Sequence, residues 1–391
     1  MKSPSIFGPL PAAPRLLVRG TNWLGDAVMT TPALLRLHEK FPDAQITMLT
    51  PEKLSELWFA HPAVNEVISI PAGETVFAVA KRLRPRKFDL ALLLPNSPRS
   101  ALEAWLAGIP QRIGYARPWR NWFLTTRITP RPGAVKMRKR SVGEIRRLVA
   151  ANVNRRVASN GRVLTNAATN AHQIYEYLHL VAALGANPEP LPPQLFVTPD
   201  ELEAVKKKFS LGEMKRPIFG LNPGAEYGPA KRWPMEKTIA TAREIQKKTY
   251  CVWILFGGKA DAASQRAAGI LSAEKNFQQD AESMFLSLVG KTDLRELMAL
   301  LKLCHVLLTN DSGPMHVAAA LGTPVVVPFG STSPELTGPG LPSDSRHRLL
   351  KSDAPCAPCF RRTCPIDFRC MTGISVERVV EAVLQAAAGG H

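Results

Sequence analysis

Four short stretches carry residues whose types and spacing suit chemistry. Thr309-Asn310-Asp311-Ser312-Gly313 follows the apolar run Val306-Leu307-Leu308 and precedes an alanine-rich stretch ending near Gly322. That pattern reads as strand, polar turn and helix. Such a turn offers unpaired N–H groups and the positive end of a helix dipole to an anion such as a phosphate. Asp311 adds a carboxylate that an incoming ligand could touch. The pattern suggests a nucleoside-diphosphate site in the second half of the chain, although an ordinary turn capped by Asp311 or Ser312 has the same composition. His316, one turn into the helix, reads as structural.

Asp26 follows Gly25 at the end of a short loop and opens a helical pattern. A carboxylate there can take a proton from a hydroxyl within hydrogen-bond reach. Gly25 lets the loop approach a ligand closely. Asp is equally a favoured helix cap, so the residue type leaves both roles open. Lys231 ends a Gly/Pro-rich loop just before Pro234. It can meet negative charge developing on a leaving group, or be a solvated surface lysine. Arg232 is expected in an ion pair and Trp233 in packing. Cys356, Cys359, Cys364 and Cys370 have the spacing C-x2-C-x4-C-x5-C. Four thiols so close could bind a structural zinc, with Arg361, Arg362 and Arg369 favouring thiolates. A reduced cysteine-rich loop is the alternative, and a disulfide is not expected in the cytosol. Cys251 and Cys304 lie in apolar runs and read as core residues.

The elements that would position these groups alternate. Strands are expected over residues 15–19, 44–50, 65–70 and 88–94, with helices over 26–40, 75–83 and 100–107 between and after them. Residues 112–140 show little period. Residues 141–156 read as a basic helix and 171–184 as an ordinary one. Strands at 217–222, 251–257, 306–310 and 323–329 then alternate with helices at 234–249, 261–273 and 294–303, and residues 375–388 form a closing helix. Apolar strands alternating with helices predict parallel sheets covered on both faces. The expected organisation is an N-terminal tail (1–14), a Rossmann-like domain (15–185) with a basic insertion at about 112–162, a proline-rich linker (186–199), and a second Rossmann-like domain (200–374) carrying the cysteine-rich loop (356–370). The terminal helix occupies 375–391. Ligands of such sheets sit beyond the carboxyl ends of the strands.

Size and composition agree with this division. A chain of 391 residues suggests two or three domains, and 45% hydrophobic with 21% charged residues excludes a disordered chain. No apolar run approaches the roughly 18 residues of a membrane span. Residues 1–14 lack the apolar centre of a secretory signal, so a cytosolic location is expected. The net charge of +18 is uneven: residues 112–162 hold fourteen Lys or Arg and one acid, Glu144, which leaves +13 there and +5 elsewhere. Tyr115, Trp119, Trp122 and Phe123 lie among those cations. The combination suits a nucleic-acid strand or an anionic membrane surface.

Three motifs together resemble the family 9 glycosyltransferases that add heptose to the lipopolysaccharide inner core. They are Arg19-Gly20-Thr21-Asn22-Trp23-Leu24-Gly25-Asp26 with Thr30-Thr31-Pro32-Ala33-Leu34; Asn222-Pro223-Gly224-Ala225-Glu226-Tyr227-Gly228-Pro229-Ala230-Lys231-Arg232-Trp233-Pro234; and Asp311-Ser312-Gly313 continuing to Gly330-Ser331-Thr332-Ser333-Pro334. The resemblance runs from about residue 15 to residue 383. With Leu94-Pro95-Asn96-Ser97, the second motif is most similar to members acting on an acceptor that already carries one heptose. The longer N-terminus and the basic segment around 136–162 depart from the pattern.

The resemblance implies the α/β GT-B fold, two Rossmann-like doubly wound domains facing across a cleft. It implies an inverting glycosyltransferase that moves heptose from ADP-L-glycero-D-manno-heptose to heptosyl-Kdo-lipid A. Asp26 would be the base. Lys231, Thr292, Asp311, Ser312 and Gly313 would hold the donor, with Lys231 on the diphosphate and Thr292 at the adenine. The acceptor would lie near Asn96 and Ser97. No cofactor is required. The partners implied are ADP-heptose and the membrane-embedded lipid A core, with no nucleic acid expected and a peripheral place on the cytoplasmic face of the inner membrane. The rival readings are a relative with another acceptor or donor, and a non-catalytic nucleic-acid-binding protein on the same fold.

Overall fold

The computed structural model describes residues 7–151, 162–164, 171–212, 215–273, 285–342 and 344–389. The chain divides into two compact units, residues 1–134 with 170–196 and residues 135–169 with 197–391.

The first unit is built on β1 (Arg15–Arg19), β2 (Gln45–Pro51), β3 (Glu66–Ile70), β4 (Leu90–Leu93), β5 (Gln111–Tyr115) and β6 (Thr126–Ile128). All pairs are parallel, in the order β3-β2-β1-β4-β5-β6. The second unit contains β7 (Arg162–Leu164), β8 (Ile218–Asn222), β9 (Val252–Leu255), β10 (Phe285–Ser287), β11 (Val306–Thr309), β12 (Val325–Phe329) and β13 (Arg348–Lys351). Its order is β10-β9-β8-β11-β12-β13-β7, parallel throughout except for β7, which runs antiparallel to β13. Each unit's six parallel strands follow the doubly wound Rossmann order, with one reversal beside the first strand. The reversals fall between β1 and β4 and between β8 and β11. The central strands are apolar without alternation: Leu-Ala-Leu-Leu in β4 and Val-Trp-Ile-Leu in β9 are buried at every position. Strands of this kind need helices on both faces.

Several boundaries differ from those expected. The helix expected at 26–40 is two helices, Leu24–Met29 and Thr31–Lys40. They meet at Thr30, whose hydroxyl donates back to the Ala27 carbonyl at 2.6 Å, and Pro32 cannot donate to the turn before it. Residues 112–140, without visible period, hold most of β5 and all of β6, strands too short to show one. The basic helix is shorter than expected, Val142–Ala150, and the residues beyond 151 assigned to it lie outside the described ones.

The basic segment also divides differently from the expected insertion. Residues 135–151 belong to the second unit. Arg140 N–H donates to the Cys359 carbonyl at 3.0 Å, and Ile145 joins the core that contains Trp233, Cys356 and Met371. The expected linker is not free either. Its residues through Phe196 pack on the first unit, where Glu189 accepts from Arg36 Nε at 3.0 Å and Gln194 N–H donates to Thr31 Oγ1 at 3.0 Å. Apolar Leu195 is buried and the Phe196 ring lies edge-on to His61, which explains why this proline-rich segment stays down. Pro199 opens a helix, Pro199–Lys208, with Thr198 and Glu201 as its capping box. The closing helix, Val376–Ala388, is part of the second core and not a separate module. Among the described residues no helix is long and apolar enough to cross a membrane.

Candidate active site

In the second unit the site grows from the reversal between β8 and β11. β8 ends at Asn222 and β11 at Thr309, and the two are register partners. Asn222 Nδ2 donates to Thr309 Oγ1 and to Ser312 Oγ, both at 3.1 Å, which fixes the exit of β11 to the end of β8. Asn310 holds the 223–233 loop at both ends. Its Nδ2 donates to the Pro223 carbonyl at 2.7 Å, and its Oδ1 accepts from Trp233 N–H at 3.0 Å. Gly224 is required in this loop, because a Cβ there would lie 1.7 Å from an Asp261 carboxylate oxygen.

These clamps bring Lys231 to Asp311, with Nζ 2.7 Å from Oδ2. The lysine side chain is 13% exposed and the aspartate 3%. Asp311 Oδ2 also accepts the Thr332 hydroxyl proton. Ser312 is the N-cap of the helix Gly313–Ala320 but makes no side-chain cap bond, since its hydroxyl is taken by Asn222. A strand-end turn, the first N–H groups of an eight-residue helix and a lysine converge here, which is a setting for an anion. Tyr227 lies close by, with Lys231 Nζ 4.8 Å from its ring centre. Burial raises its phenol above the ordinary value, against the opposing pull of Arg362. Among the described residues Arg232 makes no carboxylate pair, and it donates instead to the Ala225 carbonyl at 3.2 Å. Trp233 is buried and donates to the Ile374 carbonyl, as packing requires.

Thr292 is half-buried in the loop after β10 and precedes Asp293, the capping-box residue of the helix Leu294–Leu303. β10 is three strand positions from β11, roughly 14 Å along the carboxyl edge. Thr292 therefore shares the edge with Lys231, Asp311, Ser312 and Gly313 without joining their hydrogen-bond network.

In the first unit Asp26 is the third residue of the helix Leu24–Met29, not its cap, which is Trp23. Its Oδ1 accepts from Gln173 Nε2 at 3.3 Å, and Gln173 also donates to Tyr177 Oη at 2.9 Å. Burial, with Asp26 adding to it, holds the Tyr177 phenol well above its ordinary value. Asp26 is thus a half-buried carboxylate oriented by an amide, at the carboxyl end of β1. Across the β1–β4 reversal, Arg19 Nε at the end of β1 donates to Glu103 Oε2 at 2.9 Å in the helix that follows β4, both side chains buried. Asn96 and Ser97 follow β4, the strand on the other side of the reversal. Ser97 caps the helix Pro98–Leu106 by accepting Ser100 N–H at 3.3 Å. Asn96 is exposed, and its Oδ1 accepts from Arg120 Nη1 at 3.4 Å. Arg120 also donates to the Pro95 carbonyl at 2.6 Å, and burial lowers its pKa to about 10.

The four C-terminal cysteines are free thiols, three of them buried. Burial and repulsion from neighbouring thiolates raise Cys356, and the same causes push Cys370 up to about 12. The expectation that the arginines favour thiolates here is corrected: Arg369 does lower Cys356, but desolvation outweighs it. Among the described residues no three His, Cys, Asp or Glu stand where they could hold a metal ion together. Asn310, Tyr227 and Thr332 were not singled out beforehand, and their position beside Asp311 or within the Lys231 loop was the available signal.

The chain is 32% identical over 356 residues to lipopolysaccharide heptosyltransferase 2 of Escherichia coli (strain K12), covering 87% of this chain and 91% of that protein. It is 32% identical over 333 residues to the protein of the same name in Salmonella typhimurium, covering 83% and 85%. The solved structure of E. coli ADP-heptose lps heptosyltransferase II superposes with a TM-score of 0.72 at 28% identity, over 96% of this chain and 98% of that one. Two doubly wound α/β units with this likeness are the GT-B architecture, as expected, and the chain is a glycosyltransferase. Residues 147–368 match the profile described as glycosyltransferase family 9 (heptosyltransferase), and with these relatives the match establishes that the chain belongs to that family.

Proposed function

We propose that the protein transfers heptose from ADP-L-glycero-D-manno-heptose to a heptosyl-Kdo-lipid A acceptor of the lipopolysaccharide inner core, with inversion. The observation that carries this reading is the Lys231–Asp311 pair at the strand reversal of the second sheet. The diphosphate lies against Lys231 and the N–H groups of Ser312 and Gly313, where positive charge meets the charge developing on the leaving group. Asp311 accepts from sugar hydroxyls, and the backbone at Thr292 receives the adenine. Asp26 takes the proton of the attacking acceptor hydroxyl. The oxygen forms its bond to the anomeric carbon as the bond to the diphosphate breaks, and ADP leaves from the opposite side.

Asn96 and Ser97 lie beside the acceptor. The step calls on no cofactor. The names of the relatives support the choice of sugar and acceptor. The reading places the protein peripherally on the cytoplasmic face of the inner membrane, with the first unit's Trp119 and Trp122, 81% and 80% exposed, as its anchors. Acceptor-dependent release of ADP from ADP-heptose tests it. Failure of every lipid A core acceptor to elicit ADP would refute it.

A further inference from the structure

The cysteine-rich loop reaches the anion site through its backbone. Ala230 N–H donates to the Arg362 carbonyl at 2.9 Å, and Tyr227 Oη donates to the Phe360 carbonyl at 2.8 Å. The Ser331 carbonyl accepts from both Cys359 N–H and Phe360 N–H, at 3.0 and 2.7 Å. Ser331 adjoins Thr332, which holds Asp311. Gly228 has φ 145°, and a Cβ there would lie 2.6 Å from the Arg362 carbonyl. Three loops far apart in sequence are therefore locked around Lys231.

One cation of this assembly, the exposed Arg362, has no carboxylate partner among the described residues. Its guanidinium carbon lies 5.3 Å from the Tyr227 ring centre, and Lys231 Nζ lies 4.8 Å from the same ring. Tyr227 thus holds two cations beside one site. Lys231 already faces the Asp311 carboxylate at 2.7 Å. A diphosphate carries more negative charge than that lysine can balance, and a planar guanidinium matches phosphate oxygens with two parallel donors.

We propose that Arg362, delivered by the cysteine-rich loop and oriented on Tyr227, is a second cation for the diphosphate of the donor. The inference rests on the donor reading given above and adds a residue to it. The loop then has a task in binding that needs no metal at its thiols.

The test is calorimetric binding of ADP, AMP and adenosine to the full chain and to R362Q and R362K. Wild-type protein binds ADP more tightly than AMP. In R362Q the ADP affinity falls about ten-fold while AMP changes less than about two-fold, and R362K recovers part of the loss. ADP affinity unchanged in R362Q overturns the proposal. So does an equal loss for ADP, AMP and adenosine, which would make Arg362 a support for the Tyr227 loop. Wild-type protein that binds none of the three overturns the donor reading itself.

Discussion

Lys231 and Asp311 leave different strands of one sheet and meet at 2.7 Å, with the carboxylate almost wholly out of water. Strand order produces the encounter, because β8 and β11 are neighbours only through the reversal of the doubly wound sheet. Removing one partner leaves the other charge buried and unpaired. Lys231→Met is expected to destabilise the protein by about 3 kcal/mol, while Lys231→Met with Asp311→Leu regains most of that in urea unfolding. Both variants lose ADP affinity. Full stability together with full ADP affinity in the single variant would remove the pair from the donor site.

Asp26 is expected to govern turnover without governing donor affinity. Asp26→Asn should lower the rate about 100- to 10,000-fold and leave ADP binding close to wild type. Gln173 donates to Asp26 at 3.3 Å, so it is a positioning residue. Gln173→Leu should give a smaller loss and a displaced pH–rate profile. Rates and pH profile together check this, and a wild-type rate in Asp26→Asn would end its role as base.

His61 makes stability depend on pH. Burial, with His38 adding to it, lowers its pKa from 6.5 to about 4, and its Nδ1 accepts from Ala63 N–H at 3.2 Å. The folded state holds the neutral ring, while the unfolded chain binds a proton below pH 6.5. Between about pH 4 and 6.5 the unfolded state binds more protons, so stability rises with pH there and falls on acidification. The contribution is on the order of 3 kcal/mol. Denaturant unfolding from pH 4 to 7.5 should show a slope that His61→Gln flattens; an unaltered slope contradicts the assignment.

Trp119 sits at φ 65°, a strained conformation for a bulky residue, with its indole in solvent. Trp122 is similarly exposed, and Arg117 and Arg127 lie in the same segment. Vesicles containing phosphatidylglycerol should bind the protein, less so at high salt. Trp119→Ser with Trp122→Ser should weaken that binding roughly ten-fold or more. Preference for a single-stranded oligonucleotide over vesicles would favour the nucleic-acid reading of these aromatics.

The alternation of apolar strands and helices was legible because those strands are buried on both faces. Val306 to Leu308 and Leu90 to Leu93 announce themselves by composition alone. β5, β6 and β13 did not, being short and rich in Arg, Gln or Lys. Assignment of residues 135–151 to the second unit depends on Arg140 reaching Cys359, more than two hundred residues away, and on Ile145 joining the second unit's core, which no local pattern encodes. Asp311 and Lys231 were readable as loop-end charges. Their mutual distance was not, since it follows from Asn222 and Asn310 tying two loops across the sheet. The cysteine spacing was legible, but the burial that raises Cys356 and Cys370 was not, since spacing carries no information on burial.

The most direct measurement is release of ADP from ADP-heptose in the presence of lipid A core acceptors of stepwise length. ADP should appear with heptosyl-Kdo-lipid A, should fail to appear with the acceptor lacking that first heptose, and should vanish in Asp26→Asn. Release that is indifferent to the acceptor, or that occurs only with the shorter one, would contradict the account.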